Sequence, residues 1–381
     1  MKIAVIAGFG PSLVNFRGPL LQEMVKAGHE VVGIAPPEGF KGDQVHIADQ
    51  LRPLGVRFRP VFLCRTGMNP MDDLKTLHEL YKIFREEKPD AVFSYTIKPV
   101  VWGSLAARMA GVPAIYSMIT GLGYAFGQMG LYNEHGLKRR ALYQLVKGLY
   151  KTGLLFNKTV FFQNPDDREM FQRFGIISEQ KKAIVTNGSG VDLDHYAYTP
   201  RLPEKPIFTC IARLLGEKGL REYAAAAALL KPKYPHAEFR IIGPVDDGPD
   251  AITGTELDQW REENALTRFG EVDDVRPYLE DTTVFVLPSY REGTPRSVLE
   301  AMSIGRAIIT TDTPGCRETV QHNKTGLLVP AREIFPLADA MESFLKDTDK
   351  AARMGEAGRV YAEQKFDIHK VNKLILDTLE L

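Results

Sequence analysis

Two glutamates, Glu292 and Glu300, bracket a turn in the run Pro288-Ser-Tyr-Arg-Glu-Gly-Thr-Pro-Arg-Ser-Val-Leu-Glu300, which follows the apolar stretch 283–287. The Thr294-Pro295 pair marks a helix start, with threonine as the cap and proline in the first turn, where no backbone donor is needed. Glu300 then falls about two turns beyond Glu292. Amides at a helix start attract phosphate, and carboxylates accept from sugar hydroxyls. A ligand lying across this start can touch both glutamates, so the spacing implies a nucleotide-sugar site. The competing reading is an ordinary capped helix with a solvated acid, worth about 1 kcal/mol in capping.

A second constellation is Arg213-Leu-Leu-Gly-Glu-Lys218-Gly219, between the strand-like run 207–212 and a helix over 217–230. Arginine offers a planar fork and lysine a mobile point charge, a combination suited to a diphosphate. Taken alone it reads as solvated surface charge. Beside the Glu292/Glu300 segment it reads as part of one site, because both lie at the carboxyl ends of strands. The loop Gly8-Phe-Gly-Pro-Ser12 lacks the third glycine of a dinucleotide fingerprint, and Pro11 removes a donor. Its small residues still let a ligand approach the backbone, which makes Gly10 a candidate contact. Asp192-Leu-Asp194 resembles a metal-binding pair only nominally, since it lies in an expected linker. With Arg213 and Lys218 to meet leaving-group charge, no metal and no cofactor are expected.

The elements that must position these residues alternate. Strand-like runs at 2–7, 30–35, 56–62, 91–95, 114–118, 159–163 and 182–186 are separated by amphipathic helical stretches such as 73–87 and 101–110. A loop at 187–206 interrupts the pattern, which restarts with strands at 207–212, 239–242, 283–287, 306–310 and 326–329. Such alternation predicts an α/β fold with parallel sheets covered on both faces. Two doubly wound, Rossmann-like domains facing a central cleft are expected over 1–198 and 199–366. The helix 367–381 is a candidate to pack back on the first.

Composition is that of a soluble globular protein, with 44% hydrophobic and 25% charged residues. Three cysteines without a C-x-x-C pair, and an N-terminus that opens on a strand, predict a cytoplasmic protein with no spanning segment. Net charge is zero overall, but residues 1–200 carry 24 Lys+Arg against 18 Asp+Glu (+6), leaving 24 against 30 (−6) for the remainder. The first half is thus expected to meet something anionic. From His135 to Pro165 there is no acid, and Arg140, Lys147 and Lys151, with Arg139 beside them, form a basic stripe. Leu142, Leu145, Val146 and Leu149 lie opposite. The helix either docks that apolar face on the sheet or presents the stripe to an anionic membrane surface.

Arg213 with Lys218, Glu-x7-Glu at 292–300, Thr311-Asp-Thr-Pro-Gly-Cys-Arg-Glu318, Asn323-Lys-Thr-Gly-Leu-Leu-Val-Pro330 and Ala27-Gly-His-Glu-Val31 together resemble the retaining GT-B glycosyltransferases of family 4. The resemblance implies that Arg213 and Lys218 hold a donor diphosphate, that Glu292 contacts the donor sugar, and that Glu300 contacts the nucleotide ribose. Gly293, Thr294, Pro295 and Arg296 would complete the donor side, and Val272 in Gly270–Val275 would border the base. Tyr95–Pro99 and Ser117–Tyr124 resemble bacterial members that extend glycans on undecaprenyl diphosphate, as in O-antigen assembly. Asn15, Arg17, Lys98, Thr120, Gly121, Gly123 and Tyr124 are the acceptor candidates. Many members carry a histidine near the second segment, where this chain has Met118, Ile119 and Thr120. The implied reaction moves an N-acetylhexosamine or hexose from a UDP-sugar to a polyprenyl-diphosphate-linked saccharide, on the inner face of the membrane and without nucleic acid. A UDP-sugar 2-epimerase on the same scaffold, or a non-catalytic sugar-nucleotide binding protein, are the alternatives.

Overall fold

The computed structural model describes residues 1–37, 46–64, 69–121, 137–248, 250–263 and 265–381, with side chains except at 137–140 and 348. Two compact units are formed, one by Met1–Ser189 with Val371–Leu381, the other by Gly190–Lys370. They part upstream of the boundary expected after residue 198, because Val191 and Tyr196 are buried in the second unit's core.

Among the described residues the first unit has seven strands: β1 Lys2–Ile6, β2 Glu30–Ala35, β3 Arg57–Pro60, β4 Ala91–Tyr95, β5 Ala114–Ile119, β6 Thr159–Phe162 and β7 Ala183–Val185. Their order is β3-β2-β1-β4-β5-β6-β7, all parallel. Both faces are covered, and side chains alternate between them as a two-residue period requires. Ile3 and Val5 enter one core with Leu13, Leu21 and Met24, whereas Ala4 and Ile6 enter another with Leu80 and Phe84. The last helix, Ile368–Leu379, places Val371, Ile375 and Leu379 on one face and buries them with Ile3 and Val5. Each such side chain contributes about 1.5–3 kcal/mol relative to exposure. At the amino ends of the strands Arg57 donates to Glu87 (2.6 Å) and Glu30 (2.8 Å), an ion-pair network that pins the sheet. A π-helical segment, Pro99–Gly103, precedes the helix Ser104–Ala110, where a continuous helix over 101–110 was expected.

Among the described residues the second unit has six strands: β8 Ile207–Ile211, β9 Glu238–Ile242, β10 Thr267–Phe269, β11 Val284–Leu287, β12 Ala307–Thr311 and β13 Gly326–Val329. Their order, β10-β9-β8-β11-β12-β13, is again all parallel. In each sheet the order reverses once, between β1 and β4 and between β8 and β11. Crevices at such switch points, outside the strand carboxyl ends, are where open parallel sheets bind ligands.

Candidate functional site

The second unit's switch point is built by the chain leaving β8 and β11. After β8 the backbone passes a 3-10 turn, Gly216–Lys218, and enters the helix Leu220–Leu230 through Gly219 at φ 70°. A Cβ on Gly219 would stand 2.1 Å from the Pro288 carbonyl oxygen, so only glycine lets the two loops touch. That approach sets Lys218 beside the 288–294 loop. Its Nζ donates to Glu292 Oε1 at 2.6 Å, and Ser289 Oγ donates to the same oxygen at 2.8 Å. The loop is pinned from several sides. Tyr290 N donates to Glu217 O (2.9 Å), the Tyr290 hydroxyl to Glu222 Oε1 (2.7 Å), and Glu292 N to Pro314 O (3.0 Å). The hydroxyls of Thr311 and Thr313 donate to the Ser289 carbonyl. Burial pulls the Lys218 pKa down, but the charge and hydrogen bond of Glu292 outweigh it, and the net shift is upward. Lys218 is therefore a cation at neutral pH. Arg213, less buried, donates from one terminal nitrogen to Asp246 Oδ2 at 2.8 Å, and Asp246 Oδ1 accepts from Gly248 N. Both expected phosphate ligands are thus matched with carboxylates.

Helix Arg296–Ile304 begins one residue later than the sequence suggests. Pro295 occupies the capping position in an extended conformation (φ −71°, ψ 111°), with no side-chain cap. Thr294, displaced one position outward, turns its hydroxyl to the Gly293 carbonyl at 3.0 Å, so the expected threonine cap is not formed. Gly293 is buried beside it. Glu300 is buried as well, and its Oε1 accepts from the Tyr196 hydroxyl at 2.9 Å. Arg296 Nε lies 2.8 Å from the same oxygen, one helical turn away. Burial raises the Glu300 pKa above the usual carboxylate range, against the opposing pull of Arg296 and Tyr196. Val272 is half-buried in the loop after β10, near the Asp274–Arg276 ion pair. Asp192, read from sequence as structural, accepts from the amides of Asp194 and His195 in a local turn. Tyr196, Ser289 and Asp246 escaped the sequence reading. Ser289 lay inside the quoted motif, whereas Tyr196 sits in the stretch read as a linker.

In the first unit, β1, β4 and β5 end on one edge of the sheet. Arg17 is only 2% exposed. It donates to Met118 Sδ at 2.7 Å and lies 5.2 Å from the centre of the Tyr95 ring. Tyr95 in turn meets Ser12 Oγ at 2.9 Å, and burial pushes its phenol up to about 12. Lys98 pairs with Asp73 at 2.9 Å, both largely buried. Asn15 is exposed, and Thr120 and Gly121 follow β5, half-buried. Gly10 packs without a side chain because a Cβ would stand 2.9 Å from both the Pro36 carbonyl and Ile47. Packing within the first unit therefore accounts for this glycine. Gly123 and Tyr124 lie outside the described residues.

The basic stripe falls on the helix Leu137–Leu155. Val146, Tyr150 and Leu154 are buried with Val100, Ile119, Phe162 and Phe171, and Leu142 and Leu149 pack at the margin. Leu145, expected on the docked face, is instead 55% exposed, because the buried stripe runs through 146, 150 and 154. Lys147 is half-buried and Lys151 exposed, while the side chains of Arg139 and Arg140 lie outside the described ones. Among the described residues, no helix is long and apolar enough to cross a membrane.

Residues 17–188 match the family of glycosyl transferase 4-like domains, and residues 199–361 match glycosyl transferases group 1. The N,N'-diacetylbacillosaminyl-diphospho-undecaprenol alpha-1,3-N-acetylgalactosaminyltransferase of Campylobacter jejuni is 28% identical over 360 residues, 91% of this chain and 90% of that protein. The UDP-Gal:alpha-D-GlcNAc-diphosphoundecaprenol alpha-1,3-galactosyltransferase of Escherichia coli is 27% identical, over 73% of this chain and 72% of its own. Among solved structures, the sucrose-phosphate synthase of Thermosynechococcus elongatus is similar with a TM-score of 0.82 at 18% identity, covering 100% of this chain and 98% of its own. Anabaena HepE, solved with UDP and glucose, gives 0.77 at 16% identity, covering 100% and 99%. With two parallel-sheet units of this topology, and with both halves matched in order along the chain, the protein belongs to the GT-B glycosyltransferases of family 4.

Proposed function

We propose that this glycosyltransferase moves one N-acetylhexosamine or hexose from a UDP-sugar to a saccharide carried on undecaprenyl diphosphate, with retention at the anomeric carbon and without a metal. The observation that carries the donor side is the pair of cations, Arg213 and Lys218, beside Glu292 at the β8/β11 switch point. A diphosphate arriving there draws Lys218 away from Glu292 Oε1, and the freed carboxylate oxygen accepts from a hydroxyl of the donor sugar. The bond from the anomeric carbon to the β-phosphate oxygen breaks, and that carbon bonds to the acceptor oxygen. The acceptor proton passes to the departing phosphate. Arg213, Lys218 and the helix start after Pro295 stabilise the charge developing on UDP, which is the role a metal would otherwise fill.

The acceptor class rests on the two bacterial relatives whose names specify diphosphate-undecaprenol substrates. Lys98, Thr120 and Gly121, at strand carboxyl ends of the first unit, are the residues assigned to it. Lys147 and Lys151 are assigned to a peripheral contact with anionic lipid. The test is mass spectrometry of lipid-linked saccharides incubated with the protein and a panel of UDP-sugars. The expected result is a gain of one hexose or N-acetylhexosamine, with UDP release that requires the acceptor. Conversion of the donor alone would instead indicate an epimerase, and tight donor binding without turnover on any lipid-linked extract a binding protein.

A further inference from the structure

Tyr196 belongs to the stretch that precedes β8, and everything around it holds it still. Its amide donates to Asp192 O at 3.0 Å, and its carbonyl accepts from Ser303 Oγ at 2.6 Å and from Arg359 at 3.2 Å. The ring is 7% exposed within the second unit's core. The one polar atom of that ring, the hydroxyl, is spent on Glu300 Oε1. Arg296 approaches the same oxygen from within the helix. A carboxylate has two oxygens and about four acceptor sites. Here both partners converge on Oε1, and Oε2 accepts no hydrogen bond among the described residues. Oε2 is not shut off from solvent, so it stays open to a donor that a ligand brings.

We propose that Tyr196 is a positioning residue for nucleotide recognition: by holding Oε1 it fixes the carboxylate plane of Glu300 so that Oε2 meets a ribose hydroxyl of the donor. This rests on the reading of Glu300 as the ribose contact. The phenol suits the task across the physiological range, because burial and the nearby Glu300 charge push its pKa upward and keep it a donor. Arg296 approaches the same oxygen from within the helix, so two groups share Oε1.

The experiment compares calorimetric binding of UDP with that of 2′-deoxy- and 3′-deoxy-UDP to the full chain and to Tyr196→Phe, which keeps the ring and therefore the packing. Hydrogen bonds to a charged group predict that the wild type prefers UDP to one deoxy analogue by about tenfold or more. In Tyr196→Phe, UDP affinity should fall while affinity for that analogue holds within about twofold, so the preference shrinks by about threefold or more. Equal loss for both ligands, or an unchanged preference, would show Tyr196 to be core packing only and overturn the proposal. A wild type that binds UDP but ignores both ribose hydroxyls overturns the Glu300 assignment and the proposal with it. A wild type that binds no UDP overturns the donor reading itself, and the two failures are thereby distinguished.

Discussion

Each unit carries a lysine just beyond the carboxyl end of a central strand, and the two are matched in burial. Lys98 pairs with Asp73 at 2.9 Å and Lys218 with Glu292 at 2.6 Å, and in both pairs the lysine is 14% and the carboxylate 16% exposed. Their surroundings differ. Asp73 lies in the first turn of the helix Pro70–Glu87, whose terminus favours a negative charge on its own. Lys218 sits in a denser field that includes Glu217 and Arg213, with Glu292 shared between Lys218 and Ser289. In the first unit the other candidate cation, Arg17, is turned onto Met118 and Tyr95. The more acidic half of the chain therefore brings two candidate cations to one switch point, whereas in the more basic half Lys98 and Arg17 are set apart on different partners. Net charge by half does not reveal how the cations are grouped, since that depends on which of them the loops bring to one switch point.

Three substitutions break or sharpen that contrast. Lys218→Ala should have the largest effect, a fall in turnover of about 10²–10³-fold with the thermal melt preserved, because it removes charge stabilisation at the leaving group. Turnover within about threefold of wild type would deny Lys218 the phosphate. Lys98→Ala should act on the other substrate, raising the acceptor KM about tenfold while UDP affinity stays level. Weaker UDP binding in that variant would erase the division between the lysines. The smallest change is expected from Lys151→Gln, about a fivefold loss of partitioning to vesicles rich in anionic lipid at low salt, with none on neutral vesicles. Equal partitioning to both vesicle types by the wild type would leave the basic helix a purely internal support.

The strands were legible because most are fully buried and read as apolar runs, Val284–Leu287 being typical. β10 escaped because Thr267 and Arg268 are exposed at a sheet edge and make no apolar run. The site was legible as residue types at strand ends. Its wiring was not, because Lys218 and Glu292 are 74 residues apart and Tyr196 and Glu300 are 104 apart. Spacing along one element cannot show a contact between two. The threonine cap failed for a local reason, since proline took the capping position itself. The exposure of Leu145 shows that a helix with several apolar residues does not reveal, by period alone, which of them the sheet will take.

The return of Val371, Ile375 and Leu379 to the first unit has a consequence for synthesis. When residues 1–189 have left the ribosome, the face of their sheet bearing Ile3 and Val5 still lacks one of the helices that cover it. It stays only partly covered while the next 181 residues (190–370) are made. The second unit, continuous in sequence, can close as soon as it emerges. The unit begun first is thus completed last, and a ribosome halted inside residues 190–370 leaves a nascent chain with part of an apolar sheet face open to chaperones and proteases.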